Sequence, residues 1–273
     1  MNLDSFSNKT LLITGASAGV GAACARYFAR QGAKLALVAR GEEALQAMAN
    51  ELRKHTQVLA IVADVADVQR CQQMVEQVVN TFGEIHMLIN NAGLHHRGEF
   101  STLQAEQVAS MVDVNLRAPL YLSSLVLPHI KQAGHGAVVM VGSLAGRAPL
   151  QGAASYASTK AGLRAFTYSL ADELRGSGIA IGVVSPGPIN TGFIMDSIDE
   201  VEDIVYSQPM STAEEVAENI ANIARGQSVE IPMTSLSGKL TTLAYLFPRL
   251  RRALRKPLYA KGRKNKEKYR RDK

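Results

Sequence analysis

Thr10-Leu-Leu-Ile-Thr-Gly-Ala-Ser-Ala-Gly-Val-Gly21 is the stretch whose reading decides the fold. Its first five residues are β-branched or leucine and read as a short buried strand. Three glycines follow, and an alanine-rich run to about Gly32 then reads as a helix. Gly15, Ser17, Ala18, Gly19, Val20 and Gly21 therefore form a turn between strand and helix. Glycines let a backbone come close to a pyrophosphate, whose charge is then held by the free amides and the positive dipole end of the helix. The spacing is G-x-x-x-G-x-G, which differs from the usual dinucleotide fingerprint G-x-G-x-x-G. A turn that only packs helix on strand is the other reading of these twelve residues.

Outward from this unit, strand and helix patterns alternate. Strands are predicted at Leu11–Thr14, Lys34–Ala39, Val58–Ala63, His86–Asn90, Ala137–Gly142, Ile179–Ser185 and Val229–Pro232, with amphipathic helices between them. Nearly continuous apolar strands separated by such helices predict an α/β fold: one Rossmann-like, doubly wound parallel sheet of about seven strands with helices on both faces. Ligands in such sheets bind at the carboxyl edge, close to the reversal of strand order. Gly15, Arg40, Asp64, Asn91, Ser143 and Pro186 each follow a strand and are expected along that edge. The second strand closes with Ala39 and Arg40 where a carboxylate would select a ribose 2′-hydroxyl. A guanidinium at that place can instead clamp a phosphate bidentately. Glu42 and Glu43 follow and are read as the first turn of the next helix, where negative charge is favoured.

Tyr156 and Lys160 are four residues apart in a predicted helix, which stacks them on one face, thirteen positions after Ser143. A cation at about 4 Å is worth up to roughly 4 kcal/mol at an effective dielectric of about 20, enough to lower a phenol pKa by up to roughly 3 units before desolvation. The expectation is a tyrosine acidified by its neighbouring lysine.

Thr14 to Gly21, Asp64-Val65, Asn90-Asn91-Ala92-Gly93, Asn115, Ser143, Tyr156 with Lys160, and Pro186-Gly187 followed by Thr191 occur in one order from about Lys9 to about Pro232. In this the chain resembles the short-chain dehydrogenase/reductase family. The resemblance implies an oxidoreductase that interconverts a carbonyl and an alcohol, with Tyr156 as general acid/base, Ser143 as a second donor to the same oxygen, and Lys160 on the nicotinamide ribose. Asn115 would anchor a water that leads protons to the lysine. Asp64 and the Val65 amide would meet the adenine; Asn91, Ala92 and Gly93 would provide backbone near the adenosine ribose. Pro186, Gly187, Ile189 and Thr191 would shape the nicotinamide side. It also assigns the basic Arg40 to NADP(H), and it implies a homo-oligomer built through helices around Gln104–Gln132 and Ser155–Arg175. A cofactor-binding scaffold or redox-sensing protein without turnover is the alternative, disfavoured by the intact Asn115, Ser143, Tyr156 and Lys160. Residues 192–210 are expected to form a lid; their apolar residues suit a lipid-like substrate or equally an amphipathic helix closing the core.

At 273 residues and 47% hydrophobic content the chain can bury a full core. Residues 1–234 are read as the cofactor-binding and catalytic domain and 235–273 as an amphipathic segment with a basic tail. The polar N-terminus and the lack of an apolar run of about 18 residues predict a cytoplasmic protein. Cys24 and Cys71 are expected as reduced core thiols, no metal site is assigned, and the adjacent His95 and His96, which follow the Asn-Asn-Ala-Gly loop, are read as a surface loop, with a place in the lining of the substrate cleft as the alternative. From Arg249 to Lys273 there are 13 Lys or Arg against Glu267 and Asp272, whereas the preceding 248 residues carry 17 basic and 22 acidic side chains. Leucines at helical spacing precede and enter this basic run. Two readings stand: peripheral contact with an anionic membrane at its inner face, or a helix packed on its own domain followed by a disordered, solvated tail. Nucleic acid is disfavoured, because only Tyr259 and Tyr269 interleave the basic run.

Overall fold

Alternation along each strand sorts its side chains into two layers. Leu11 and Ile13 face one side of β1 (Thr10–Thr14) and Leu12 faces the other; Leu35 and Leu37 oppose Ala36 and Val38 in the same way on β2 (Lys34–Ala39). These strands continue into β3 (Val58–Val62), β4 (Met87–Asn90), β5 (Gly136–Val141), β6 (Ile179–Ser185) and β7 (Glu230–Pro232). The computed structural model describes Leu3 and residues 5–271. Its sheet has seven strands, all parallel, in the order β3-β2-β1-β4-β5-β6-β7. The order reverses between β1 and β4, so the crevice expected of a doubly wound sheet opens at their carboxyl ends. Strand ends differ from the sequence reading by about one residue.

One apolar layer joins α1 (Gly19–Arg30), α2 (Glu42–Leu52) and α8 (Ala213–Ala224) to the sheet. The opposite layer joins α3 (Val68–Phe82), α5 (Ala118–Gln132) and α6 (Ala154–Glu173). Cys24 and Cys71 are buried free thiols, one in each layer. Between α4 (Ala105–Val112) and α5 the chain makes a π-helical turn at Asp113–Arg117.

After β6 comes α7 (Gly192–Met195), then a 3-10 turn at Asp203–Ser207. Ile194, Ile198, Val201 and Tyr206 form a third cluster of their own. The expected lid is thus two short pieces with a private core, and not one amphipathic helix closing the main core.

The C-terminal segment meets one expectation in part, since a helix packs on its own domain. Pro248 divides it, as its missing N–H and fixed φ allow at a helix start, into α9 (Ser235–Leu246) and α10 (Pro248–Arg271). From Tyr259 onward α10 is docked on the segment expected as a lid: Tyr259 donates to Glu202 at 2.9 Å, Asn265 to the Tyr206 carbonyl at 2.9 Å, and Arg263 pairs with Asp203 at 3.1 Å. Lys266 is buried and donates to the Val201 carbonyl at 2.7 Å. Gly262 lies so close that an added Cβ would clash with the Asp203 carbonyl. A solvated, disordered tail is therefore not what the described residues show. The acids of the lid, Asp199, Glu202 and Asp203, give this half of the helix its partners. No helix among the described residues is long and apolar enough to cross a membrane.

Candidate active site

Gly15 is held at φ +66, and a Cβ at Gly21 would collide with the Gly15 carbonyl, so the turn after β1 closes on itself. The α1 N-terminus that follows has Ala18 at its N-cap, no side-chain cap and no acid in its first turn. Its first amides and its dipole are thereby left for an external anion. Thr191 lies over this turn, about van der Waals distance from where a Gly19 side chain would begin. This backbone cradle fits a pyrophosphate. Arg40 is 70% exposed at the end of β2, and its guanidinium is 3.9 Å from the Asp64 carboxylate. Glu42 and Glu43 occupy the first turn of α2, as read from sequence. Asp67, and not Asp64, caps α3; Asp64 instead accepts from the Ala66 amide at 2.9 Å. Val65 is buried beside it.

The loop after β4 is fastened to β1. Thr14 Oγ1 accepts from the amides of Asn91 and Ala92, each at 3.0 Å, and the Asn91 side chain donates to the carbonyls of Thr14 and Gly15. Asn115, fully buried in the π-helical turn, bonds both the amide and the carbonyl of Leu94 at 2.8 Å. A side chain at Gly93 would meet Asn115 Oδ1 and Lys160 Nζ, so those two groups face the same backbone. On the other wall, the Pro186 carbonyl accepts from the Leu144 amide at 2.8 Å, Gly187 packs near Leu144, and Ile189 bridges to Ser211.

Ser143, Tyr156 and Lys160 meet between these walls. Ser143 is close enough to the Tyr156 phenol to favour its ionised form, and its hydroxyl accepts from the Ala145 amide at 3.1 Å. Lys160 Nζ donates to the Val141 carbonyl at 2.8 Å and lies 5.8 Å from the centre of the Tyr156 ring. Burial pulls the Lys160 ammonium down to about 8. Burial also pushes the Tyr156 phenol up from its ordinary value, against smaller lowering effects of Ser143 and Arg97. The expectation that Lys160 dominates the phenol is corrected here, because its charge is directed at a carbonyl and desolvation outweighs the nearby donors.

The model of the short chain dehydrogenase family matches residues 9–202. The chain belongs to that family. Similar proteins include the ketoacyl reductase HetN of Nostoc sp., 33% identical over 223 residues, which is 81% of this chain and 78% of that protein. The 3-oxoacyl-[acyl-carrier-protein] reductase FabG of Escherichia coli K12 is 31% identical over 230 residues, 83% of this chain and 93% of its own. A crystal structure of a short chain dehydrogenase from Burkholderia cenocepacia in complex with NADP superposes with a TM-score of 0.76 at 31% identity, covering 84% of this chain and 96% of that one.

Three side chains surround the tyrosine; the sequence reading does not single out Arg97 and does not link His95 or Phe193 to it. His95 stacks on the Tyr156 ring with centroids 4.2 Å apart and planes 15° from parallel, which favours its place in the cleft over a surface loop. Burial, with the charge of Arg97, pulls the His95 imidazole down to about 3, so the ring is neutral. Arg97 meets His95 Nδ1 at 3.0 Å and reaches the lid through Ser197 Oγ at 3.0 Å and the Phe193 carbonyl at 2.9 Å. Phe193, half exposed, turns its ring toward Tyr156 at 6.5 Å. The available signal was proximity in sequence: His95 and Arg97 follow the Asn-Asn-Ala-Gly loop.

Proposed function

We propose that the protein is an NADP(H)-dependent oxidoreductase interconverting a carbonyl and an alcohol, with Tyr156 as general acid/base. The observation that carries this reading is buried Lys160 with its Nζ 5.8 Å from the Tyr156 ring, Ser143 beside that phenol, and an uncapped helix start after β1 on the same sheet edge. Bound NADPH supplies the hydride to the carbonyl carbon. As negative charge grows on the substrate oxygen, Tyr156 gives it a proton and Ser143 donates a second hydrogen bond. Lys160 would hold the nicotinamide ribose and, through a water anchored at Asn115 as the resemblance implies, would return a proton toward the phenolate. Gly15 to Gly21 hold the pyrophosphate, while Asp64, Val65, Asn91, Ala92 and Gly93 receive the adenosine half. Pro186, Gly187, Ile189 and Thr191 line the nicotinamide half. Half-exposed Phe193 lies beside the tyrosine on which His95 stacks, which supports a carbonyl compound with apolar substituents. A panel of ketones and aldehydes followed by NADPH absorbance tests the reading; consumption by none of them would favour the silent scaffold.

Arg40 carries the cofactor preference. A charge-assisted contact to a 2′-phosphate is worth about 1.5–3 kcal/mol, so Arg40→Ala is expected to cut efficiency with NADPH roughly ten- to a hundredfold and to leave NADH nearly unchanged. Steady-state kinetics with both coenzymes measure it, and a native preference for NADH would refute the assignment. The Burkholderia relative, whose structure holds NADP, supports the same choice.

The reading includes a cytoplasmic homo-oligomer. Val112, Leu116, Leu120 and Tyr121 line an apolar groove along the π-helical turn and α5, and Val112 is 40% exposed there. Light scattering is expected to give a dimer or larger for the native chain and a shift toward monomer for Val112→Glu; a monomeric native chain removes this part.

A further inference from the structure

We infer that the proximal C-terminal segment, α9 with the first half of α10, is a docking surface for an anionic phospholipid membrane. The two halves of α10 differ. Its distal half is occupied by the lid acids described above. The segment before it turns its large apolar side chains away from the protein: Leu236, Leu240, Leu243, Phe247, Leu250 and Leu254 are between 46% and 65% exposed. From Ser235 to Lys256 the sequence holds Lys239, Arg249, Arg251, Arg252, Arg255 and Lys256 and not one acid. An outward apolar stripe bordered only by cations matches a lipid surface, where leucines enter the acyl boundary and basic heads meet phosphate. A second copy of the same face would set cation against cation, so the charge favours lipid over self-association.

The placement joins this surface to the cleft. Arg147, the residue that ends the 3-10 turn Leu144–Gly146 after Ser143, donates to the Gly238 carbonyl and to the hydroxyls of Thr241 and Thr242 on α9. Further along, α10 grips the lid turn at Asp203–Ser207. The segment therefore spans from the serine wall to the lid wall, and docking sets the cleft beside the lipid. Resting on the oxidoreductase reading, the substrate class that follows is a membrane-borne apolar carbonyl or alcohol; the docking itself does not rest on it.

The test is co-sedimentation of the full chain with vesicles of phosphatidylcholine alone and of an equal mixture with phosphatidylglycerol, at low and high salt. Binding is expected to the mixed vesicles, weakened by salt. It should fall at least tenfold in Leu243→Glu/Leu250→Glu and in Arg249→Glu/Arg252→Glu, with turnover of a water-soluble carbonyl unchanged in both. A native chain that stays in the supernatant with mixed vesicles overturns the inference, as does equal sedimentation of native and double variants. Retention of the segment by a protein partner in place of lipid would show as that first outcome. Sedimentation without turnover of any carbonyl would sink the oxidoreductase reading and leave the docking surface standing.

Discussion

Tyr156→Phe is expected to reduce carbonyl turnover by about a thousandfold or more while NADPH binding changes little. The substitution removes one oxygen. The ring that stacks on His95 at 4.2 Å remains, so the cleft wall keeps its shape. What disappears is the proton donor, worth typically 10²–10⁴ in rate, together with one of two donors to the developing oxyanion, worth roughly 10²–10³. The two effects act through the same hydroxyl and do not multiply in full. Burial holds the phenol above its ordinary pKa, so at neutral pH it is in the protonated form that reduction requires. Ser143 and Arg97 work in the opposite direction and favour the phenolate that forms once the proton has left. Single-turnover absorbance at 340 nm, beside a titration of NADPH binding, checks the prediction. A variant that retains turnover within tenfold of the native enzyme would show that some other group supplies the proton.

The parts of this site legible in the sequence are those governed by local rules. The glycine turn, the Arg40 position and the helical spacing of Tyr156 and Lys160 follow from short-range geometry, and apolar strand runs fix the layers on which they stand. Helix α2 illustrates this: Glu42 and Glu43 complement its N-terminus. What was not legible depends on distance in the chain. The stacking of His95 on Tyr156 and the reach of Arg97 to Ser197 join residues about sixty and a hundred positions apart, and no periodicity announces them. The tail misled for a related reason. Neither reading of its cations placed them on acids of this chain, because the acids that receive Arg263, Lys266 and Arg270, Asp199 and Asp203, stand about sixty to seventy residues earlier in an irregular segment. Lys160 gave a third lesson. Spacing placed it near the phenol, yet only the fold could reveal that its ammonium is taken by the Val141 carbonyl.

The same limit applies to Glu230, and replacing it is expected to produce the largest loss of stability. Its carboxylate is 3% exposed and is shared by Arg147, by Arg164 at 2.8 Å, by the Tyr168 hydroxyl at 2.9 Å and by the Ser185 hydroxyl at 2.7 Å. Burial alone would push this carboxyl up, but hydrogen bonds from Arg164, Arg147, Ser185 and Tyr168 outweigh it and bring it down to about 2. In Glu230→Gln two guanidinium groups lose the charge they share, and breaking a buried pair on one side costs about 3–5 kcal/mol. Thermal unfolding followed by circular dichroism should fall by roughly 10 °C at neutral pH. Because the folded carboxyl is more acidic than the unfolded one, its contribution is complete above the ordinary value of 4.5 and is lost as pH falls through 4.5 toward 2. The lowering corresponds to roughly 3 kcal/mol, so the gap between native and variant should narrow across that window. Arg147 also holds α9 through Gly238, Thr241 and Thr242. The variant should therefore expose α9 to protease at temperatures well below its melting point, whereas the strands keep their protection. An unchanged melting temperature at neutral pH, or a gap that stays constant on acidification, would show that the cluster does not act as an ionic anchor between β7, α6 and the C-terminal segment.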